Sequence, residues 1–346
     1  MAIDISYFRV GRESVRLQFA SFNQTGNIQK MLDSRYTESL CFCTAAFGKE
    51  YVHLAKLLAN DLYQFAPNRT FLVLTNKPKW FREHPNVIAI QHWCRGVLPY
   101  HERRFAIQQA LSLAPSVMYL DADVRICAPV PEHQIFQPGI TARSCGVMQK
   151  HLQERFDRPS LSSALQRKKQ IIEQMADKAG IDLNSPDVQF INEFLFVVTV
   201  DGGREQEFLR RWGELAIYAD HLGMHKHPTY AMAFAAVKSG FPIYRSEMPG
   251  LDFFDDRIEK VKVSKGQSTA DSKAKYLQAQ AHIEQRPQSL PQRILRRVSK
   301  KTALSYNRAR VQITSAVFPE ALIHYPAIKV QKRDRQLSKT LVAPTR

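Results

Sequence analysis

Several things are scarce in this chain, and each scarcity excludes something. The cysteines number five (Cys41, Cys43, Cys94, Cys127 and Cys145) and contain no C-x-x-C pair. Neither a disulfide framework nor a structural zinc site is expected from that pattern, and a reducing cytoplasm is the compartment it suits. Cys41 and Cys43 alternate inside an apolar run, as two thiols on one face of a buried strand do. No apolar stretch approaches the roughly 18 residues needed to cross a bilayer. The first sixteen residues mix charge with apolar side chains, so no signal peptide is expected. Glycine and proline are modest, at 14 and 18 of 346 residues, and no fixed-period repeat is visible. Acidic residues are outnumbered, 32 Asp and Glu against 49 Lys and Arg, which leaves a net charge of +17. A surplus of that size calls for an anionic partner: nucleic acid, anionic lipid or a phosphorylated substrate.

What is present is enough apolar material for a sizeable core, 44% hydrophobic and 10% aromatic residues. Residues 1–38 form a weakly patterned lead-in. Ser39–Ala45 then reads as a buried strand, and the apolar spacing from Tyr51 to Phe65 predicts a helix. Thr70–Asn76 and Asn86–Gln91 read as further strands and Phe105–Leu113 as a helix closed by Pro115. Ser116–Leu120 is a fourth apolar strand that runs straight into Asp121-Ala122-Asp123. Strands too apolar to face water on either side, alternating with helices, predict a mostly parallel sheet covered on both faces. Ligands of such sheets bind outside the carboxyl ends of the strands, where the acidic motif falls. Farther on, helices are expected over Ser160–Lys178, Glu205–Tyr218 and Thr229–Lys238, the last capped by Gly240, and a strand over Phe190–Val200.

Two carboxylates at i and i+2 past a strand end can turn toward one cation if the chain bends there. Hard divalent ions such as Mg²⁺ and Mn²⁺ take oxygen ligands and keep positions open for substrate phosphate. Tyr119-Leu120-Asp121-Ala122-Asp123 resembles the metal-binding signature of GT-A type, nucleotide-sugar-dependent glycosyltransferases, in particular the bacterial galactosyltransferase and glycogenin-like families. The order of the strand at Cys41, Arg103-Arg104-Phe105 before a helix, the acidic strand, and Gln189–Val197 is similar over about residues 39–250. The resemblance implies an α/β, Rossmann-like GT-A fold with a mixed, mostly parallel sheet flanked by helices. It implies Mn²⁺ or Mg²⁺, a nucleotide-sugar donor of the UDP type, and a glycan or lipid-linked acceptor.

By the same resemblance Asp121 contacts ribose and metal, Asp123 the metal, and Thr44 and Ala45 lie beside the uridine with Asn76 at the next strand end. Ala122 sits within the donor-binding motif, Arg104 approaches the acidic motif and the donor, and Asn192 faces the donor sugar and acceptor. The third metal ligand of the related families is a late His followed by an aromatic residue, with a Gly and a phosphate-gripping Lys beyond it. His324-Tyr325-Pro326-Ala327-Ile328-Lys329 matches at His324 and the aromatic; Ala327 replaces the Gly and Lys329 falls one position early. His221, His225 and His227 lack a zinc pattern and read as a polar loop between helices, with lining of an acceptor cleft as the alternative. Where acceptor-facing acids are expected the chain has His227–Tyr230, and Asp252, Asp255 and Asp256 are the alternative acids. No base is assigned, and retention or inversion stays open.

Residues 257–310 hold 14 Lys and Arg against three acidic residues and read as a basic helical segment, so that the glycosyltransferase domain is expected over 39–256 and 311–330, with a basic tail at 331–346. Within this segment Ser289 caps, Pro291 suits a first turn, and Leu290, Ile294, Leu295 and Val298 share a face set against Arg293, Arg296, Arg297, Lys300 and Lys301. Such a helix suits peripheral contact of residues 288–310 with an anionic membrane. Two rival classes are weighed. A haloacid-dehalogenase-like phosphatase would use Asp121 as nucleophile, but Val124-Arg125 stands where Gly-Thr is usual. A nucleic-acid binder would interleave aromatics with the basic run, where only Tyr276 and Tyr306 occur.

Overall fold

The structure, a computed structural model, describes residues 38–269, 271–284 and 289–323. His324, Lys329, nearly all of the lead-in and the 331–346 tail lie outside the described residues.

Strands β1 (Leu40–Ala46), β2 (Phe71–Thr75), β3 (Val87–Gln91) and β4 (Ser116–Leu120) form where sequence periodicity places them, as do helices α1 (Gly48–Phe65) and α2 (Arg103–Ala110). After β4 come β5 (Val124–Ile126), β6 (Gly139–Ala142), β7 (Cys145–Val147), α3 (Met148–Phe156), α4 (Ser163–Ala179), β8 (Gln189–Ile191) and β9 (Leu195–Thr199). Two long helices follow, α5 (Arg204–Leu222) and α6 (Thr229–Ser239), and then β10 (Ile243–Arg245), β11 (Phe253–Asp255), α7 (Asp256–Ser264), α8 (Ala274–Glu284), α9 (Leu290–Val317) and the single turn α10 (Glu320–Ile323).

Among the described residues the main sheet has seven strands in the order β10-β6-β9-β4-β1-β2-β3. Every neighbouring pair is parallel except those made by β9, which runs antiparallel to both β4 and β6. This is the expected α/β architecture, and its cause is visible in β1. Cys41 and Cys43 point into one buried cluster with residues of α2, α4, α5 and α6, while Leu40, Phe42 and Ala46 point into a second cluster with residues of α1. A strand buried on both faces has no polar alternation to show. Burial pushes both thiols well above their ordinary pKa, so neither is a reactive thiolate.

Two sequence expectations need correction. Phe190–Val200 is not one strand. Asn192 donates its backbone N–H to the Ser144 carbonyl in the β7–β8 hairpin, whereas Asp121 donates to the Phe194 carbonyl at the start of the β4–β9 ladder. The break at Asn192–Phe194 hands the chain from one pairing to the other, and apolarity alone does not reveal a change of partner. Nor is 257–310 a separate appendage. Tyr276 of α8 is 5% exposed, under the Arg125 guanidinium, and α9 runs unbroken through residue 310. The C-terminal half of α9 docks beside α5: Val311 joins Val97 and Leu322 in a small apolar cluster, and Arg308 and Arg310 reach His225 and the Gly96 carbonyl.

No described helix is long and apolar enough to cross a membrane. Gly240 ends α6 in the left-handed conformation, the cap that its position implied.

Candidate functional site

Because β1, β2 and β4 are mutually parallel, their carboxyl ends share one edge, which carries Ala46, Asn76 and Asp121. The acidic motif leaves β4 in a tight turn: Val124 donates its N–H to the Asp121 carbonyl across 3.0 Å. That is the bend the i, i+2 carboxylates require. Ala122, between them, is buried in the core on the α1 side, while Asp121 and Asp123 are each half-buried. Behind the turn Arg125 makes a two-pronged ion pair with Asp61 of α1, Nε to Oδ2 at 2.6 Å and Nη2 to Oδ1 at 2.8 Å. Gln280 of α8 donates to the Asp123 carbonyl.

Arg103 organises the front of the motif. Its Nη2 lies 3.1 Å from Asp121 Oδ1, its Nη1 donates to the Glu193 carbonyl at 2.6 Å, and its guanidinium lies over the Tyr119 ring. The Tyr119 hydroxyl donates to the same Asp121 oxygen at 3.1 Å. Burial alone would lower the Arg103 pKa, yet it is held above its ordinary value because Asp121, Tyr119, Glu193 and Asp123 are all close. Its Nε is buried with no partner among the described residues. Across the motif, at the start of α1, partial burial and then Asp123, Tyr100, Glu50 and Asp121 push the Tyr51 hydroxyl to about 12. Both carboxylates of the motif therefore act on the same two neighbours, one from each side.

These groups open onto a cleft of about 510 Å³ lined by Tyr100, Arg103, Asp121, Asn192, Glu193 and Phe194 on one side and by Asp255, Ile258, Val261, Lys262 and Gln267 on the other. Asp255 pairs in register with Val124, which brings it beside the motif, and it caps α7 by accepting from the Ile258 N–H.

The sequence-derived site is thus gathered in part. Asp121, Asn192 and Asp255 line one cleft, with Asp123 two residues past Asp121 on the same turn. Asn76 stands at the same edge, half-buried, with its Oδ1 3.4 Å from the Gly48 N–H. Ala45 is half-buried at the end of β1; Thr44 is fully buried, and its hydroxyl has no partner among the described residues. Arg104 is a correction: it does not approach the acidic motif. Its guanidinium stacks on Phe105, fills the space left by Gly213 of α5, and donates to the Leu322 and Ile323 carbonyls. Burial lowers its pKa to about 10, so it stays charged at neutral pH. Neighbouring helix positions point about 100° apart, so of two adjacent arginines only one faces the motif. All but one residue of α2 are buried, which leaves no polar face from which to read the phase.

The three histidines also separate. His221 bonds Ser315, His225 is buried between Asp220 and Arg308, and His227 stands apart in a left-handed backbone conformation with φ 62°.

A divalent cation fits this edge in its donor chemistry: two carboxylates of one tight turn, with Glu193 and Asp255 also acidic in the cleft, are hard oxygen ligands. Among the described residues no group of three or more His, Cys, Asp or Glu is close enough to hold a metal, so a cation at this edge would need further oxygens from substrate or water.

No family model and no curated protein matches the chain. Solved structures matched in part include the bifunctional glycosyltransferase WbbM without ligand, at 12% identity and a TM-score of 0.35, over 61% of this chain and 39% of that one. The galactosyltransferase LgtC, with donor and acceptor sugar analogues, matches at 13% identity and 0.35, over 59% of this chain and 72% of that one. The chain thus spans well under half of WbbM. At such scores neither match assigns a function here.

Proposed function

We propose that the protein is a glycosyltransferase that takes a sugar from a nucleotide-sugar donor of the UDP type, with Mn²⁺ or Mg²⁺, at the cleft above Asp121. One observation carries this reading: the shared carboxyl edge of the parallel strands β1, β2 and β4 presents two carboxylates on a tight turn, braced from the front by a buried arginine and from behind by a buried ion pair. Asp121 and Asp123 would hold the metal, which would supply charge neutralisation for a departing diphosphate. Arg103 aims the Asp121 carboxylate through its Nη2. Asn192 and Glu193 line the same cleft on the side of the β8–β9 break, where a donor sugar would meet its acceptor. Glu193 and Asp255 are the further carboxylates of the cleft that could take a proton from an acceptor hydroxyl. A Gly-rich phosphate cradle is not needed when a metal and fixed side chains hold the diphosphate.

Calorimetric titration with UDP, with and without Mn²⁺, tests the reading. Wild type is expected to bind UDP only with the metal. Asp123→Asn is expected to weaken that binding about 10- to 100-fold, the worth of one charged contact of roughly 1.5–3 kcal/mol. UDP binding that ignores both the metal and the substitution would remove the proposal.

The acceptor is a glycan or glycolipid on this reading, and the exposed half of α9 favours the latter. Leu290, Ile294, Leu295 and Val298 are 55–70% exposed, beside Arg293, Arg297, Lys300 and Lys301. A row of bare apolar side chains among cations suits the inner, anionic face of a membrane. Co-sedimentation is expected with phosphatidylglycerol vesicles and not with phosphatidylcholine, to weaken with salt, and to be lost in Ile294→Asp/Leu295→Asp. Equal binding to both lipids would count against it.

A further inference from the structure

The start of α2 is held by several parts of the fold, and the acidic motif is only one of them. His101, Glu102, Arg103 and Arg104 follow one another and are each 1–6% exposed. His101 accepts from the Trp212 indole N–H of α5 at 3.1 Å, and Arg103 reaches Asp121. Glu102, between them, turns the other way. Its Oε1 accepts from the Arg95 and Gly96 N–H groups at 3.0 and 2.8 Å, and its Oε2 lies 2.6 Å from His92 Nε2. Its own N–H donates to the Pro99 carbonyl at 3.1 Å. A buried carboxylate with three hydrogen-bond partners is costly to displace. Residues 95–96 and the first turn of α2 are therefore joined as one piece.

That piece is gripped from its other side by α9. Arg310 donates to the Gly96 carbonyl at 2.9 Å and Asn307 to the Val97 carbonyl at 3.2 Å, and Val311 shares an apolar cluster with Val97. Asp220 of α5 accepts the Val97 N–H on Oδ2 at 2.9 Å, while its Oδ1 lies 2.7 Å from His225 Nδ1. Arg308 of α9 donates to Nε2 of the same ring at 2.9 Å. Both N–H groups of Gly96-Val97 thus go to buried carboxylates, and both carbonyls go to α9. The packing is close as well as polar. A Cβ added at Gly96 would meet Asp220 Oδ2 at 3.2 Å and Glu102 Oε1 at 3.4 Å, so this glycine lets the two carboxylates converge. Such supporting contacts decide how well a functional side chain is aimed.

We infer that Asn307 and Arg310 of α9 are positioning residues for the cleft: they hold Gly96 and Val97, these hold Glu102, and Glu102 sets where α2 begins and so where the Arg103 guanidinium meets Asp121. The consequence for UDP rests on the donor site proposed above; the mechanical linkage does not. Neither residue lines the cleft, so both act through Arg103. The basic segment that the sequence sets apart is in this way a working part of the site.

A double-mutant cycle on the full chain, read by calorimetry with UDP and Mn²⁺, tests this. Asn307→Ala/Arg310→Ala is expected to weaken UDP binding about 5- to 20-fold, and to cause no further loss when Arg103→Ala is already present. Ser315→Ala, which frees α9 from His221 but not from Gly96 or Val97, is expected to leave the affinity unchanged. Unchanged affinity in Asn307→Ala/Arg310→Ala overturns the inference. So does a loss of the same size with and without Arg103, or one that Ser315→Ala shares. Amide hydrogen exchange reads the same linkage without any ligand. In Asn307→Ala/Arg310→Ala the amides of residues 105–110 are expected to exchange at least about fivefold faster, with β1 and β2 unaltered and no such change in Ser315→Ala. If wild type binds no UDP, the donor reading falls and exchange alone decides the inference. Faster exchange at 105–110 then keeps it, and unaltered exchange there overturns it.

Discussion

Arg103→Ala is expected to lower metal-dependent UDP affinity by about tenfold or more and, in the same protein, to reduce the unfolding free energy by about 3–5 kcal/mol. The reason is that Arg103 and Asp121 are a nearly dry pair, 7% and 17% exposed at their side chains, and deleting one leaves the other charged in a poor solvent. Asp121 would then relieve the cost by taking up a proton, and a protonated carboxyl is a poor ligand for a hard cation. Arg103→Lys is expected to fall between, because an ammonium keeps the charge but cannot span Asp121 and the Glu193 carbonyl as the planar fork does. Arg104→Ala, one residue on, is expected to act on a different observable. It releases Leu322 and Ile323, so limited proteolysis should cut sooner in α10 while UDP affinity stays within a few-fold of wild type. If calorimetry shows Arg104→Ala as damaging to UDP binding as Arg103→Ala, the two roles have been assigned to the wrong side chains.

Asp61→Ala is expected to cost about 3–5 kcal/mol as well, and a fall in melting temperature on the order of 10 °C. Asp61 accepts twice from Arg125 and once from the Ile126 N–H, and it is 6% exposed. Without it the guanidinium is left buried against Tyr276 with no countercharge. Because Arg125 stands two residues past Asp123, the loss is expected to loosen the turn that aims the carboxylates, so UDP–Mn²⁺ affinity should fall together with stability. Asp61→Ala/Arg125→Leu, which removes both charges and restores apolar volume, is expected to recover most of the stability. Chemical denaturation of the two variants checks this. A single substitution no more costly than about 1 kcal/mol would mean that the pair is solvated and does not brace the motif.

Much of the sheet was legible before any coordinates. Strands buried on both faces write themselves as continuous apolar runs, which is why β1, β2 and β4 fall within a few residues of their expected bounds, and why the acidic motif could be placed at a carboxyl edge; β3, the half-buried edge strand, is read from its short apolar run alone. Shorter strands were not legible. β6 and β10 have four and three residues, and their pairing is set by what lies alongside them. The β8–β9 break was hidden for the same reason, since an apolar run looks the same whether it keeps one neighbour or changes to another.

At the site the division is similar. Residue type and order along the chain were sufficient to bring out Asp121 and Asp123 as candidates, because a turn that carries two carboxylates is local in sequence, whereas Asn192 was brought out only by the resemblance. The choice between Arg103 and Arg104, the arrival of Asp255 through β11 and the place of Glu193 beside Arg103 were decided only by the tertiary structure. Each depends on the rotation of a buried helix or on the docking of elements tens of residues apart, and those are set by packing over the whole core, not by any run of neighbouring residues.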